Sequence, residues 1–66
     1  MSIKELSQLK EENVIYDRTA KIAYNIIKIY KNGILTYYEW TNYYGRFTEN
    51  RFLKKEELLC KDMILI

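Results

Sequence analysis

Few side chains in this chain could carry out acid–base or nucleophilic chemistry. It has no histidine, one cysteine, Cys60, and two aspartates, Asp17 and Asp62. A Ser-His or Cys-His pair is therefore excluded, and the sequence shows no glycine-rich phosphate loop or acidic metal cluster. Cys60 offers no zinc pattern, and its apolar neighbours predict an inert, buried thiol. We expect a protein that is not an enzyme, with no cofactor, metal or small-molecule substrate.

Basic residues form the first pattern that indicates a partner. Arg18, Lys21, Lys28 and Lys31 lie in a segment that contains no acidic residue and ends at Asn32. On a helix they would form a stripe of one charge, as expected for contact with a polyanion or with an acidic protein surface. A solvated face explains the same stripe equally well. The net charge of +2 does not identify a partner.

The second half of the chain resembles a helix-turn-helix unit. Thr41 and Gly45 have the spacing of the small residue and the turn glycine, between predicted helices over 37–44 and 49–61. Phe52 lies one position later than the aliphatic residue expected after the turn, and an ordinary helical corner explains the pattern too. The unit would read base edges from its second helix and contact phosphates from the flanking basic residues. The predicted nucleic-acid-binding residues are Arg46, Thr48, Asn50, Arg51, Lys54 and Lys55, with Arg18, Lys21 and Lys28 from the basic stripe.

Aromatic residues support the alternative hypothesis, a protein-binding inhibitor or adaptor of the phage or mobile-element type. Four of the seven tyrosines cluster around Trp40, and tyrosine is favoured at binding hot spots. Trp40 is expected in the core, whereas Tyr37 and Tyr38 are predicted contact residues. A homodimer is compatible with both hypotheses, and its predicted seam is the apolar C-terminal tail. The predicted protein-binding residues are Tyr37, Tyr38, Ile64, Leu65 and Ile66.

The elements that would position these residues are predicted to be helices. Ser2 and Glu5 form a capping box before a first amphipathic helix of about three turns. Val14–Tyr16 is an apolar bridge that fits a helix end, a packed loop or a short strand. Met63–Ile66 likewise fits a helix extension, a short strand or an interface. Thr36 and Glu39 form a second capping box, before the helix that carries Trp40.

The segment from Arg18 to Asn32 admits two interpretations. Its isoleucines and tyrosines favour a strand, and Asn32-Gly33 matches a hairpin turn. Polar residues at spacings of three and four favour a helix that is capped by Asp17 and stops at Gly33, and strand alternation fails at Ile26-Ile27. Periodicity decides for the helix.

Length and composition set the overall expectation. Sixty-six residues, 48% of them apolar, form a single domain over residues 1–66. No apolar run approaches the ~18 residues of a membrane span, and the charged N-terminus lacks a signal peptide, which indicates a cytoplasmic protein without membrane contact. The predicted fold is all-α, a small bundle of three to four short helices. The alternative is an α+β fold with a hairpin around Asn32-Gly33. The predicted function is a small DNA-binding regulatory or accessory factor, whose partner is duplex DNA, or else a larger host protein.

Overall fold

The computed structural model describes residues 1–66 and contains a five-stranded antiparallel sheet with two short helices. The sheet has the strand order β4-β3-β2-β1-β5. The all-α prediction is therefore wrong, and the alternative α+β fold is closer. The elements in chain order are α1 (Ile3–Ser7), β1 (Val14–Asp17), β2 (Ile22–Tyr30), β3 (Gly33–Asn42), β4 (Gly45–Lys54), α2 (Lys55–Cys60) and β5 (Met63–Leu65).

The core lies between one face of the sheet and the two helices. Helix α2 follows the edge strand β4, and the chain then returns to β5 at the opposite edge. Leu58 of α2 is fully buried against this face of the sheet. No helix covers the other face, which we call the open face, and the side chains there are half-buried or exposed. The buried apolar core consists of Leu9, Ile15, Tyr24, Ile26, Ile34, Leu53, Leu58 and Met63.

A β-bulge explains why the sequence of β2 imitates a helix. Ile26 pairs with Thr36, but the next pair joins Lys28 to Leu35, so Ile27 is an extra residue. The bulge places Asn25 and Lys28 on the same face although they are three residues apart. Together with polar residues in the flanking turns, this produces the spacing of three and four. The predicted helix over residues 18–32 is therefore wrong.

The turn after β2 is a two-residue hairpin rather than a helix stop. Tyr30 pairs with Gly33, which leaves Lys31 and Asn32 as the turn. A Cβ atom on Gly33 would lie 2.4 Å from the carbonyl oxygen of Leu53. Gly33 is therefore required because β4 approaches it closely, and it does not end a helix.

The helix-turn-helix prediction is also wrong. Thr36 is fully buried within β3, where its hydroxyl donates a hydrogen bond of 2.8 Å to the carbonyl oxygen of Arg51, so it caps no helix. Residues 37–44 lie in β3 and its turn, and only Lys55–Cys60 of the second predicted helix is helical. Strands β3 and β4 form ten consecutive cross-strand pairs. The backbone groups that β3 and β4 turn toward each other are therefore satisfied by cross-strand pairing and not within helices.

The predictions for three short segments can be compared with the structure. The capping box of Ser2 and Glu5 is confirmed, although α1 ends at Ser7 and is shorter than predicted. Val14–Tyr16 is part of strand β1, which was one of the three interpretations of this segment. The apolar tail forms strand β5, which pairs with β1 and places Ile64 opposite Tyr16. Neither helix has the length and apolar character needed to cross a membrane.

Candidate functional site

The β3–β4 hairpin extends beyond the rest of the sheet. The pairing of β2 with β3 ends at Asn25 and Tyr37, whereas β3 and β4 remain paired as far as Asn42 and Gly45. Residues 38–49 therefore form a two-stranded projection, which we call the aromatic ribbon. Residues 39–50 are all exposed. The ribbon contributes to the 39 Å long axis of a molecule whose other dimensions are 22 and 18 Å.

The ribbon carries two pairs of aromatic side chains in contact. The rings of Trp40 and Phe47 stack with centroids 4.7 Å apart and an angle of 23° between their planes. They lie opposite each other in the strand pair. They are on the same face of the sheet as the core, but beyond the part of that face that the helices cover. Their exposed fractions are 40% and 39% because no helix reaches this end of the sheet. The stack is therefore a preformed apolar surface rather than part of the core.

The second pair, Tyr43 and Tyr44, occupies the turn at the tip. The carboxamide oxygen of Asn42 accepts a hydrogen bond of 2.8 Å from the backbone N–H of Tyr44, and Gly45 completes the turn with φ of +133°. The two rings meet edge to face at 5.5 Å. They are 96% and 85% exposed, so neither contributes to the core. A tight turn that presents two tyrosines to solvent is typical of a recognition loop.

Tyr38 connects the ribbon to the core. Its ring meets that of buried Tyr24 edge to face at 5.4 Å, and its hydroxyl donates a hydrogen bond to the carboxylate of Glu49 across the strand pair. This hydrogen bond raises the pKa of Tyr38 because it stabilises the protonated phenol. The base of the ribbon is thereby held against the body of the protein.

The ribbon carries a small net negative charge. It carries Arg46 and two glutamates, Glu39 and Glu49, which gives a net charge of one positive minus two negative, or −1. Arg46 lies 3.9 Å from Glu39 in an exposed ion pair. The ribbon therefore has no excess of positive charge with which to attract phosphates.

The outer edge of β4 is unpaired along its whole length. Strand β4 is ten residues long and forms the edge of the sheet. Its pairing with β3 contains no bulge, and it contains no proline. In an antiparallel edge strand, alternate N–H and C=O groups point outward. Beside the aromatic side chains, the edge therefore offers a row of backbone groups to an incoming strand.

The predicted nucleic-acid-binding residues do not come together. Arg46, Thr48 and Asn50 share the open face of β4, whereas Arg51 lies on the core face. Arg18 and Lys21 begin and end the turn before β2. Lys28 lies near the other end of β2, with its ammonium group 5.5 Å from the ring centroid of Tyr30. Lys54 and Lys55 lie where β4 meets α2. No single basic surface results.

Two of these arginines have structural partners. The guanidinium of Arg18 donates to Asp62 at 2.6 Å and thereby joins the end of β1 to the turn before β5. Arg51 donates to the hydroxyl of Tyr24 at 2.9 Å and to the carboxylate of Glu57 at 2.6 Å. Both guanidinium groups are therefore already engaged in ion pairs within the protein.

The predicted protein-binding residues are also dispersed. Tyr37 and Ile64 lie half-buried on the open face, whereas Tyr38 and Leu65 face the core. Ile66 follows β5 and is 70% exposed. The ribbon contains only Tyr38 of this set, and Tyr38 is occupied by its contacts with Tyr24 and Glu49.

Sequence reasoning missed the exposed aromatic residues of the ribbon. Tyr43, Tyr44 and Phe47 were not among the predicted contacts, and Trp40, expected in the core, is partly exposed. Cys60, expected to be buried, is exposed as well. The signal that could have identified the tip was two tyrosines between Asn42 and Gly45, since asparagine and glycine are turn residues that favour a hairpin there.

Comparison with protein-family models, with curated proteins and with solved structures finds no match for this chain. The structure brings together no group of three or more His, Cys, Asp or Glu side chains that could hold a metal ion. The geometry of the ribbon is therefore the basis for a functional assignment.

Proposed function

We propose that this chain is a small protein-binding module that docks a larger partner through the aromatic ribbon. The observation that carries the proposal is the exposure of Trp40, Phe47, Tyr43 and Tyr44 on a projecting hairpin. Large aromatic side chains dominate binding hot spots because they bury much surface with little loss of rotamer freedom. Here they contribute little to the core, so the fold alone does not explain them.

The charge of the ribbon favours a protein over a nucleic acid. Bases also stack on exposed aromatic rings, but proteins that bind single strands combine those rings with a positively charged groove. The ribbon has a net charge of −1, and its one basic residue, Arg46, is paired with Glu39. The unpaired edge of β4 adds a second feature that suits a protein partner, since an extended segment can pair with it through backbone hydrogen bonds.

A reducing compartment such as the cytoplasm suits this function. The single cysteine, Cys60, is exposed and has no partner for an internal disulfide. Exposed free thiols persist where the redox environment keeps them reduced. We therefore propose that the partner is a cytoplasmic protein.

The test is quantitative capture from a nuclease-treated lysate of the source cells. The immobilised wild-type chain is compared with a variant that carries Tyr43→Ser and Tyr44→Ser, whose side chains support no core. The matched control is Tyr30→Ser, which removes another exposed tyrosine, at the far end of the sheet. We expect a defined protein to be captured by wild type and by the control, and its yield to fall at least about tenfold with the tip variant.

Two results would contradict the proposal. If the tip variant captures the same proteins in the same yield as wild type, the ribbon is not the docking surface. If wild type instead shifts a mixed pool of duplex or single-stranded DNA at low salt, and the shift disappears as salt is raised, nucleic acid is the partner and the proposal is wrong.

A further inference from the structure

A second surface lies at the end of the molecule opposite the ribbon. A cavity of about 210 Å³ opens between α1, α2 and the turn that joins β2 to β3. Its inner wall is formed by Leu9, Ile34 and Leu58, which are buried, and by Leu6 of α1, which is half-buried. Walls that are mostly apolar suit contact with an apolar group of a ligand.

The mouth of the cavity combines apolar and cationic side chains. Ile3 and Ile29 line it although they are 73% and 40% exposed. The charged lining residues are Lys31, from the hairpin turn, and Lys55, at the start of α2. Neither lysine takes part in an ion pair, and no carboxylate lines the cavity. The site therefore combines mostly apolar walls with two lining lysines that have no ion-pair partner.

We propose that this cavity binds a free alkyl carboxylate of medium chain length. The alkyl chain occupies the apolar interior, and the carboxylate lies between the ammonium groups of Lys31 and Lys55. A volume of about 210 Å³ accommodates roughly seven groups of the size of a water molecule or a methylene. Octanoate has the matching length. The proposal is independent of the ribbon, so either assignment can fail without affecting the other.

The dependence of affinity on the length of the alkyl group provides the sharpest test. The isotope-labelled chain is titrated with straight-chain carboxylates from butanoate to dodecanoate, and binding is followed by the backbone and methyl resonances. We expect each added methylene to tighten binding about fourfold until the cavity is full, near octanoate, and to have little effect beyond that length. The shifts should centre on Leu6, Leu9, Ile34 and Leu58. Affinity that keeps rising through dodecanoate would indicate non-specific association and overturn the proposal.

Head-group charge is tested separately. Octylamine has the same chain with the opposite charge, and we expect it to bind at least about tenfold more weakly than octanoate. A double variant, Lys31→Glu with Lys55→Glu, should weaken octanoate binding by a similar factor while its amide spectrum shows the fold retained. The matched control is Lys28→Glu on the open face, which should bind octanoate as wild type does. Equal binding of the two amphiphiles, no effect of the double variant, or no saturable shift with octanoate would each refute the site.

Discussion

Glu57 links helix α2 to the sheet through two cationic side chains. Its carboxylate accepts a hydrogen bond of 2.8 Å from Lys61 one turn later and one of 2.6 Å from Arg51 on β4. Arg51 in turn donates to the hydroxyl of Tyr24, whose side chain is fully buried. The hydrogen bond from Lys61 and the charge of Arg51 lower the pKa of Glu57 below its ordinary value of 4.5. Helix α2 is short, so this contact matters for its position.

Replacing Glu57 with glutamine should therefore destabilise the protein. We expect the free energy of unfolding at neutral pH to fall by about 0.5–1.5 kcal/mol, since the two contacts are partly exposed. The measurement is urea denaturation followed by tryptophan fluorescence. Glu56→Gln is the control, because Glu56 is exposed and makes no ion pair. Equal losses in the two variants would show that the network is unimportant.

The same residue predicts a dependence on pH. A carboxyl group with a lowered pKa in the folded state contributes its stability above its unfolded pKa, about 4.5, and loses it as the pH falls through the folded value. The difference in stability between wild type and Glu57→Gln should thus shrink as the pH is lowered below 4.5. A difference that stays constant through this range would contradict the proposed ionic role of Glu57.

At the scale of elements, the bulge in β2 separates two adjacent isoleucines. Ile26 is 2% exposed in the core, whereas Ile27, the inserted residue, is 39% exposed. In the helical interpretation of this segment both side chains would lie on the apolar face. The two positions therefore distinguish the bulged strand from a helix.

Alanine substitution at each position tests that distinction. We expect Ile26→Ala to lower the free energy of unfolding by about 2–4 kcal/mol, because it leaves a cavity in the core. Ile27→Ala should cost less than about 1 kcal/mol, because the side chain is partly in solvent. Chemical denaturation of both variants provides the comparison. Similar large losses at both positions would rule out the bulge.

The sequence supports part of this element structure. The capping box of Ser2 and Glu5 was predictable because both partners are local. The hairpin at Asn32-Gly33 was visible as an alternative, but the spacing of polar residues favoured a helix. That spacing arises from a bulge and two turns, and a bulge depends on pairing with another strand, so periodicity within one segment does not reveal it.

The requirement for Gly33 is another property that only the assembled sheet shows. Its neighbour is the carbonyl oxygen of Leu53, twenty positions later in the chain. From sequence, glycine after asparagine indicates either a helix end or a turn. Which of the two applies depends on where β4 lies.

At the scale of the whole molecule, the candidate site could not be inferred because it depends on how far each strand extends. Tyrosine richness around Trp40 indicated a protein-binding surface, but the predicted contacts Tyr37 and Tyr38 lie where the hairpin is still attached to the body. The exposed residues are those beyond the last pair formed by β2. Composition therefore drew attention to the tyrosines, and only the three-dimensional structure shows which aromatic side chains are exposed.

The molecule has two distinct ends joined by β3. The ribbon at one end presents aromatic rings and a free strand edge, and the cavity at the other end presents an apolar interior with two lysines. Between them lies a core of only eight buried apolar residues. A chain of this size has little spare stability, and the exposed aromatic side chains of the ribbon lie outside its core.

The most direct test of the ribbon as docking surface is a map of the bound interface. The isotope-labelled chain is mixed with its captured, purified partner, and changes in the backbone amide resonances are recorded along the sequence. The proposal predicts that the largest changes fall within residues 38–49, with smaller effects on the adjoining outer edge of β4. Changes centred instead on the open face, around Tyr16, Tyr37 and Ile64, with the ribbon unperturbed, would contradict it.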